Sequence, residues 1–106
     1  TTKRIVVSIQ NHDTLDFLRP DDVIEISCDL SRDGLKPVTP VKVPTAQKNM
    51  IACVKEYERL AVAAILQQDK SLAVRALMAH PLIGSYSLAK TLVEAYLDDE
   101  QFAAWR

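Results

Sequence analysis

Glycine is nearly missing from this chain: Gly34 and Gly84 are its only two, fifty positions apart in 106 residues. A loop that cradles phosphates needs clustered glycines, so that backbone N–H groups can close on the ligand. No such loop can be built here, which excludes a nucleotide fingerprint within the chain. Histidine is equally scarce, with His12 and His80 alone. Neither has a second Cys, His or carboxylate at metal-ligand spacing on its own element. A basic excess is lacking too: 13 Lys and Arg face 14 Asp and Glu, a formal charge of −1. With no surplus to neutralise phosphates, no nucleic-acid partner is expected. No apolar run approaches the roughly 20 residues that span a bilayer, so no membrane partner is expected. No cleavage pattern of a secretory leader follows Thr1-Thr2-Lys3-Arg4, which suits a cytoplasmic protein. An initiator Met is missing as well, which suits a piece of a longer chain. The two cysteines, Cys28 and Cys53, each sit within an apolar pattern and are expected as buried thiols rather than a disulfide.

What is present is globular. Hydrophobic residues make up 48% and charged residues 25%, ordinary values for a folded domain. Arg4–Ile9 is β-branched and ends at the polar Gln10-Asn11-His12-Asp13, which predicts a strand and a loop. Val23–Leu30 alternates, with Ile24, Ile26, Cys28 and Leu30 on one face. Asp33-Gly34 signals a turn. Lys36–Val43 carries Pro37 and Pro40, which cannot donate to a ladder, so that strand belongs at a sheet edge. Then the period changes. Thr45 is the expected cap of a helix over Ala46–Gln67, whose inward stripe is Met50, Cys53, Val54, Tyr57, Leu60, Ala61, Ala64 and Ile65. Asp69 caps a second helix over Lys70–Ala79, with Leu72, Ala73, Ala76 and Leu77 inward, and Pro81 stops it. Ser85 starts a third, with Leu88, Ala89, Leu92, Val93, Tyr96 and Leu97 inward. Asp98 and Asp99 open a terminal turn holding Phe102 and Trp105, expected to fold back over the helices. Strands over about 4–43 followed by helices over about 46–106 make a single α+β domain over residues 1–106, with short antiparallel strands preceding a three-helix segment.

Candidate chemistry is thin. Glu56 and Glu58 lie two apart on a helix and point in different directions, so they are not paired acids. Asp21-Asp22 and Asp98-Asp99-Glu100 are loop and helix-start charges. His80 lies at a helix end, where it would complement the dipole. Tyr57, a residue type able to act as a base, falls on the apolar stripe and is expected to pack there. A His12–Cys28 metal pair would supply only two ligands. No residue is assigned a catalytic, cofactor-binding or metal-binding role.

Five segments in order carry a resemblance: Val23–Cys28 (VIEISC), the Asp33-Gly34 turn, Val43-Pro44, Val54–Leu60 (VKEYERL) and Arg75–Ile83 (RALMAHPLI). Together they resemble the carboxy-terminal region of glycoside hydrolase family 4, most nearly its 6-phospho-β-glucosidase members, from about Arg4 to Leu97. The chain departs from that pattern at three places. Gln10–Asp13 stands where the family reads Asn-Asn-Gly, Ser27 where it has proline, and Ala61-Val62-Ala63-Ala64 where it reads Thr-Val-Glu-Ala.

The resemblance implies the carboxy-terminal domain of a two-domain NAD-dependent enzyme whose nucleotide-binding domain is absent from this chain. It implies NAD and a divalent metal, usually manganese, as cofactors of the parent, and a 6-phosphorylated glycoside as its substrate. Such enzymes abstract hydride at C3 and a proton at C2, then eliminate the aglycone, unlike the two-carboxylate glycosidases. Their nucleotide fold, metal ligands and tyrosine base lie earlier in the chain, so none is carried over to Cys28, His80 or Tyr57, and the fragment is expected to bind no cofactor and to be inactive. Its expected roles are completing the substrate cleft and joining subunits of a homo-oligomer. Two other readings stay open: the tail of another NAD-dependent dehydrogenase-like enzyme, and a stand-alone helical interaction module.

Overall fold

A computed structural model describes all 106 residues, as two compact units, Thr1–Lys48 and Asn49–Arg106. The first unit holds three antiparallel strands in the order β1-β2-β3: β1 Lys3–Gln10, β2 Val23–Ser31 and β3 Gly34–Pro37. β1 pairs with β2 from Lys3 opposite Leu30 to Gln10 opposite Val23. In that register Ile5 faces Cys28, Val7 faces Ile26 and Ile9 faces Ile24. All six share one side of the pleat, and their alternation with exposed neighbours is what selects the register. Cys28 is fully buried at its centre. Leu30, expected on the same inner face, is exposed, since it pairs with Lys3 at the end of the ladder. On the outer face Arg4 pairs directly with Asp29, Nε to Oδ1 at 3.0 Å. The hydrogen bond from Arg4 holds the Asp29 carboxyl below its usual range, although both groups lie in open solvent.

The β2–β3 hairpin turns through Arg32 and Asp33, and Gly34 supplies a positive φ of 108°. The Asp33 N–H donates to the Ser31 hydroxyl at 3.2 Å and tightens the bend. β3 is an edge strand, as Pro37 requires, but it is shorter than the expected Lys36–Val43. Pairing ends with the Val38 N–H donating to the Ser27 carbonyl at 3.0 Å. Pro40 has no N–H to carry it further.

α1 spans Thr45–Gln67, and only its first turn belongs to the first unit. Thr45 lies inside the helix rather than capping it. The ladder instead begins at the Pro44 carbonyl, which accepts from the Lys48 N–H at 2.9 Å. α1 ends where Gln68 takes a positive φ of 51° and the Asp69 N–H reaches back to the Ala64 carbonyl at 3.0 Å, a left-handed termination more usual for glycine. α2 (Lys70–Ala79) and α3 (Tyr86–Tyr96) start as the sequence implies. The Asp69 carboxylate accepts from the Leu72 N–H at 3.1 Å, and the Ser85 hydroxyl accepts from the Leu88 N–H at 3.3 Å.

Within the second unit α2 and α3 pack on each other, while the α1 backbone stays apart from both. Ala76, Ala89 and Val93 are buried at that contact and Ala64 is buried on α1. The standoff corrects the expected apolar stripes. Val54, Tyr57, Leu60 and Ala61 are half-buried, but Met50, Cys53 and Ile65 are exposed, as are Leu88 and Tyr96 on α3. Cys53 is therefore an exposed thiol, not a buried one. These helices carry more apolar surface than they cover for one another. The chain end folds back as expected: Arg106 accepts from the Lys70 N–H at 2.7 Å and donates to the Gln68 carbonyl at 2.9 Å. A short 3-10 turn, Glu100–Phe102, capped by the Asp99 carboxylate, sets Phe102 edge-on to Trp105 with ring centroids 6.2 Å apart.

The Tyr57 ring meets His80 edge-to-face at 4.8 Å. Tyr57→Phe keeps that contact and should leave the melting temperature of the chain nearly unchanged. Tyr57→Ala should cost about 2 kcal/mol, less than the full truncation of a wholly buried aromatic because Tyr57 is half-exposed. A melt of the Ala variant within a degree of the parent would show that the ring contributes no packing.

Candidate functional site

The loop between β1 and β2 is organised by one side chain. Asn11, 0% exposed, sits at the exit of β1. Its Nδ2 donates to the Leu15 carbonyl at 3.0 Å and to the Arg19 carbonyl at 3.0 Å, while its Oδ1 accepts from the Leu15 N–H at 2.8 Å. Its backbone N–H donates to the Asp22 carbonyl at 2.7 Å, and its own carbonyl accepts from the Thr14 N–H at 2.9 Å. The side-chain amide thus has both donors and its acceptor engaged, as a buried amide must. Asp22, also buried, closes the other end by accepting from the Arg19 N–H at 2.9 Å. It is a structural carboxylate rather than a solvated loop charge. Leu18 plugs the loop from inside.

The loop so held forms one wall of a cleft of about 700 Å³ within the first unit. Asp13, Thr14, Leu15, Asp16 and Phe17 line that wall. Pro37 and Thr39, Pro40, Val41, Lys42 and Val43 line the other, and Lys48 from the first turn of α1 completes the lining. The Lys48 ammonium lies 5.6 Å from the centre of the Phe17 ring, within the range of a cation–π contact. A second cleft, of about 470 Å³ and mostly apolar, runs within the second unit between α1 and the α2–α3 pair. Ala61, Ala64, Ala73 and Ala76 contribute to its lining, with Tyr57, Tyr96 and Trp105 among its larger side chains.

The residues weighed in the sequence are not gathered into a reacting set. His12 sits exposed at a φ of 51° beyond the end of β1, whereas Cys28 pairs with Ile5 towards the other end of that strand, so the two do not meet. His80 is the C-cap of α2, but its Nδ1 accepts from the Leu82 N–H at 3.1 Å. That contact closes the turn after α2. Glu56 and Glu58 each pair with a base three residues away, Arg59 at 3.0 Å and Lys55 at 2.8 Å. No three of the His, Cys, Asp and Glu side chains stand together where they could hold a metal ion. Tyr57 packs on the stripe where the sequence put it. Asn11 and Asp22 are the organising residues that sequence reading passed over. The one signal for them was an Asx-type residue at each end of a loop bounded by two strands.

Known proteins supply the context. A family model described as "Family 4 glycosyl hydrolase C-terminal domain" matches residues 1–83. The 6-phospho-beta-glucosidase BglT of Thermotoga maritima is 33% identical over 93 residues, which are 88% of this chain and 22% of that protein. A probable 6-phospho-beta-glucosidase of Bacillus subtilis is 25% identical over 87% of the chain and 21% of its own length. The chain thus spans about a fifth of the length of these relatives. A solved structure of the T. maritima enzyme, with manganese, NAD+ and glucose-6-phosphate, superposes with a TM-score of 0.80 at 32% identity, over 94% of this chain and 25% of that one. A 6-phospho-alpha-glucosidase from gut microorganisms shares the fold at a TM-score of 0.81 and 20% identity, over 91% of this chain and 22% of that one.

Removing the Asn11 side chain strands the Leu15 N–H and two carbonyls inside the loop. Asn11→Ala should therefore cost about 2–4 kcal/mol, the sum expected for buried partners left unsatisfied. Asn11→Asp, isosteric but unable to donate to two carbonyls, should not rescue it. Denaturant melts of the two variants check this; stability close to the parent in either would show that the loop holds without its amide.

Proposed function

Because this chain belongs to the family 4 glycosyl hydrolases, through their carboxy-terminal domain, we propose that it is the tail of an NAD- and divalent-metal-dependent 6-phosphoglycosidase of the 6-phospho-β-glucosidase type. The observation that carries this reading is the family match over residues 1–83, joined by 33% identity to the T. maritima enzyme. Identity to a phospho-alpha-glucosidase of Clostridium acetobutylicum is 22%, which favours the β-linked substrate. Manganese and NAD+ accompany the T. maritima structure, and we take both as cofactors of the parent.

The residues of this chain do not fit either group. Two isolated glycines form no phosphate loop, and no three ligand-type side chains converge. No chemical step is therefore assigned to any residue here. The nucleotide-binding domain and the reacting groups belong to a part of the parent that this chain does not contain. A phosphorylated sugar is charged and stays in the compartment where it is made, which supports a cytoplasmic parent. No helix is long and apolar enough to cross a membrane.

This chain's own contribution is structural in two senses. The loop held by Asn11 offers a rigid wall to the substrate cleft. The helices offer surface for subunit association, since Val62, Ile65 and Leu66 on α1 stay exposed, Leu66 at 79%. Apolar side chains so grouped are rarely left in water, and a two-fold pair is the commonest closed arrangement.

Exchange of this chain for the matching carboxy-terminal region of the T. maritima enzyme tests the reading. The chimera should hydrolyse nitrophenyl 6-phospho-β-glucoside with NAD and manganese. The truncated T. maritima enzyme and this chain alone should not, and the chain alone should not bind NAD by calorimetry. Equal turnover by the truncated enzyme, or any by the chain alone, would overturn it. The association is tested separately by light scattering at tens of micromolar, where the mass should be twice 11.8 kDa and Leu66→Glu should halve it. A monomer mass for the unsubstituted chain refutes the helical interface.

A further inference from the structure

The cleft of the first unit has a chemistry of its own. Asp13 and Asp16 offer carboxylate acceptors, Lys42 and Lys48 offer ammonium donors, and Thr39 adds a hydroxyl. Two acids against two bases leave the lining with no formal charge. A phosphate entering here would gain two ammonium groups and meet two carboxylates, so the lining gives an anion no net electrostatic attraction. A wholly apolar ligand would strip water from four charges without replacing their hydrogen bonds. An uncharged molecule that carries many hydroxyls and also presents a C–H face meets neither cost. Phe17, half-buried and fixed on a loop whose backbone is pinned at Leu15 and Arg19 by Asn11, supplies the apolar surface for that face. Lys48 over the ring and the pinned loop leave little to order on binding, which lowers the entropic cost of capture. The cleft is of a size usual for a small-molecule site.

We infer that this cleft is the binding site for an uncharged hexose unit, the sugar that leaves when a phosphorylated disaccharide is cleaved. That the bound sugar is a leaving group rests on the 6-phosphoglycosidase reading; the sugar site itself does not.

Two measurements separate the parts. The first is amide chemical-shift mapping of the full chain with glucose as probe and inorganic phosphate as control, the amide dispersion reporting that each variant is folded. Glucose should shift the amides of Asp13–Phe17 and Thr39–Lys42, phosphate should not, and Phe17→Ala should weaken glucose binding about three- to tenfold, the range of one aromatic face contact. No shift at roughly 100 mM glucose, where even a weak millimolar site is filled, overturns the site. So does the same shift pattern with phosphate, or an unchanged affinity in Phe17→Ala. The second uses the active chimera. There Phe17→Ala should raise KM for cellobiose 6-phosphate about three- to tenfold with kcat unchanged, and leave KM alone for methyl 6-phospho-β-glucoside, whose leaving group is too small to reach the ring. Equal effects on both substrates would overturn the assignment to the leaving sugar. An inactive chimera that still shows glucose shifts would sink the enzymatic reading and keep the sugar site.

Discussion

The first unit depends on a single buried amide. Between the end of β1 and the start of β2 the chain must travel twelve residues and return in register. A loop of that length carries many backbone N–H and C=O groups that the sheet cannot satisfy. Asn11 answers three of them with its side chain and two with its own backbone. Because its partners are spread over Thr14, Leu15, Arg19 and Asp22, it draws the loop in on itself and fixes where β2 begins. That closure brings Gln10 opposite Val23, in keeping with the register that the alternating apolar side chains select, which buries Ile24 and Cys28. The walls of the adjacent cleft inherit the same rigidity.

The second unit is organised by the opposite condition, surface left over rather than groups tied down. α2 and α3 are joined by a short connection through Pro81 and Gly84 and pack on small residues, Ala76 and Ala89, that let their backbones come close. α1 is long enough to run past both, and its alanines line a trough rather than a packed contact. A helix that is apolar on more than one side is the mark of an element meant to be covered from more than one side. Exposed Met50, Cys53, Val62, Ile65 and Leu66 are the residue of that mismatch.

Much of this was legible in the order of the residues. Alternation in Val23–Leu30 located the central strand, two prolines placed the following strand at an edge, and Asp69 and Ser85 marked helix starts to the residue. These signals are local, each acting within one turn or one pleat. What escaped was long-range. Nothing within a turn of Asn11 tells that its amide will reach Arg19, and nothing within α1 tells that Met50 and Ile65 will find no partner. Thr45 shows the smaller error, since a good capping type yields its place when the preceding proline carbonyl already opens the ladder. The ordered set of short segments, each weak alone, pointed to the family because its members share a sequence of elements rather than one motif.

The two units also differ in what light they absorb. Tyr57, Tyr86, Tyr96 and the single tryptophan, Trp105, all lie in the second unit, and the first has only Phe17 among aromatics of the β-sheet half. Trp105 is held beside the α1–α2 corner by the backbone pairing of Arg106 with Gln68 and Lys70. Tyrosine and tryptophan fluorescence therefore originates in the second unit. The sheet and its amide-pinned loop hold no tyrosine or tryptophan and contribute nothing above the phenylalanine band.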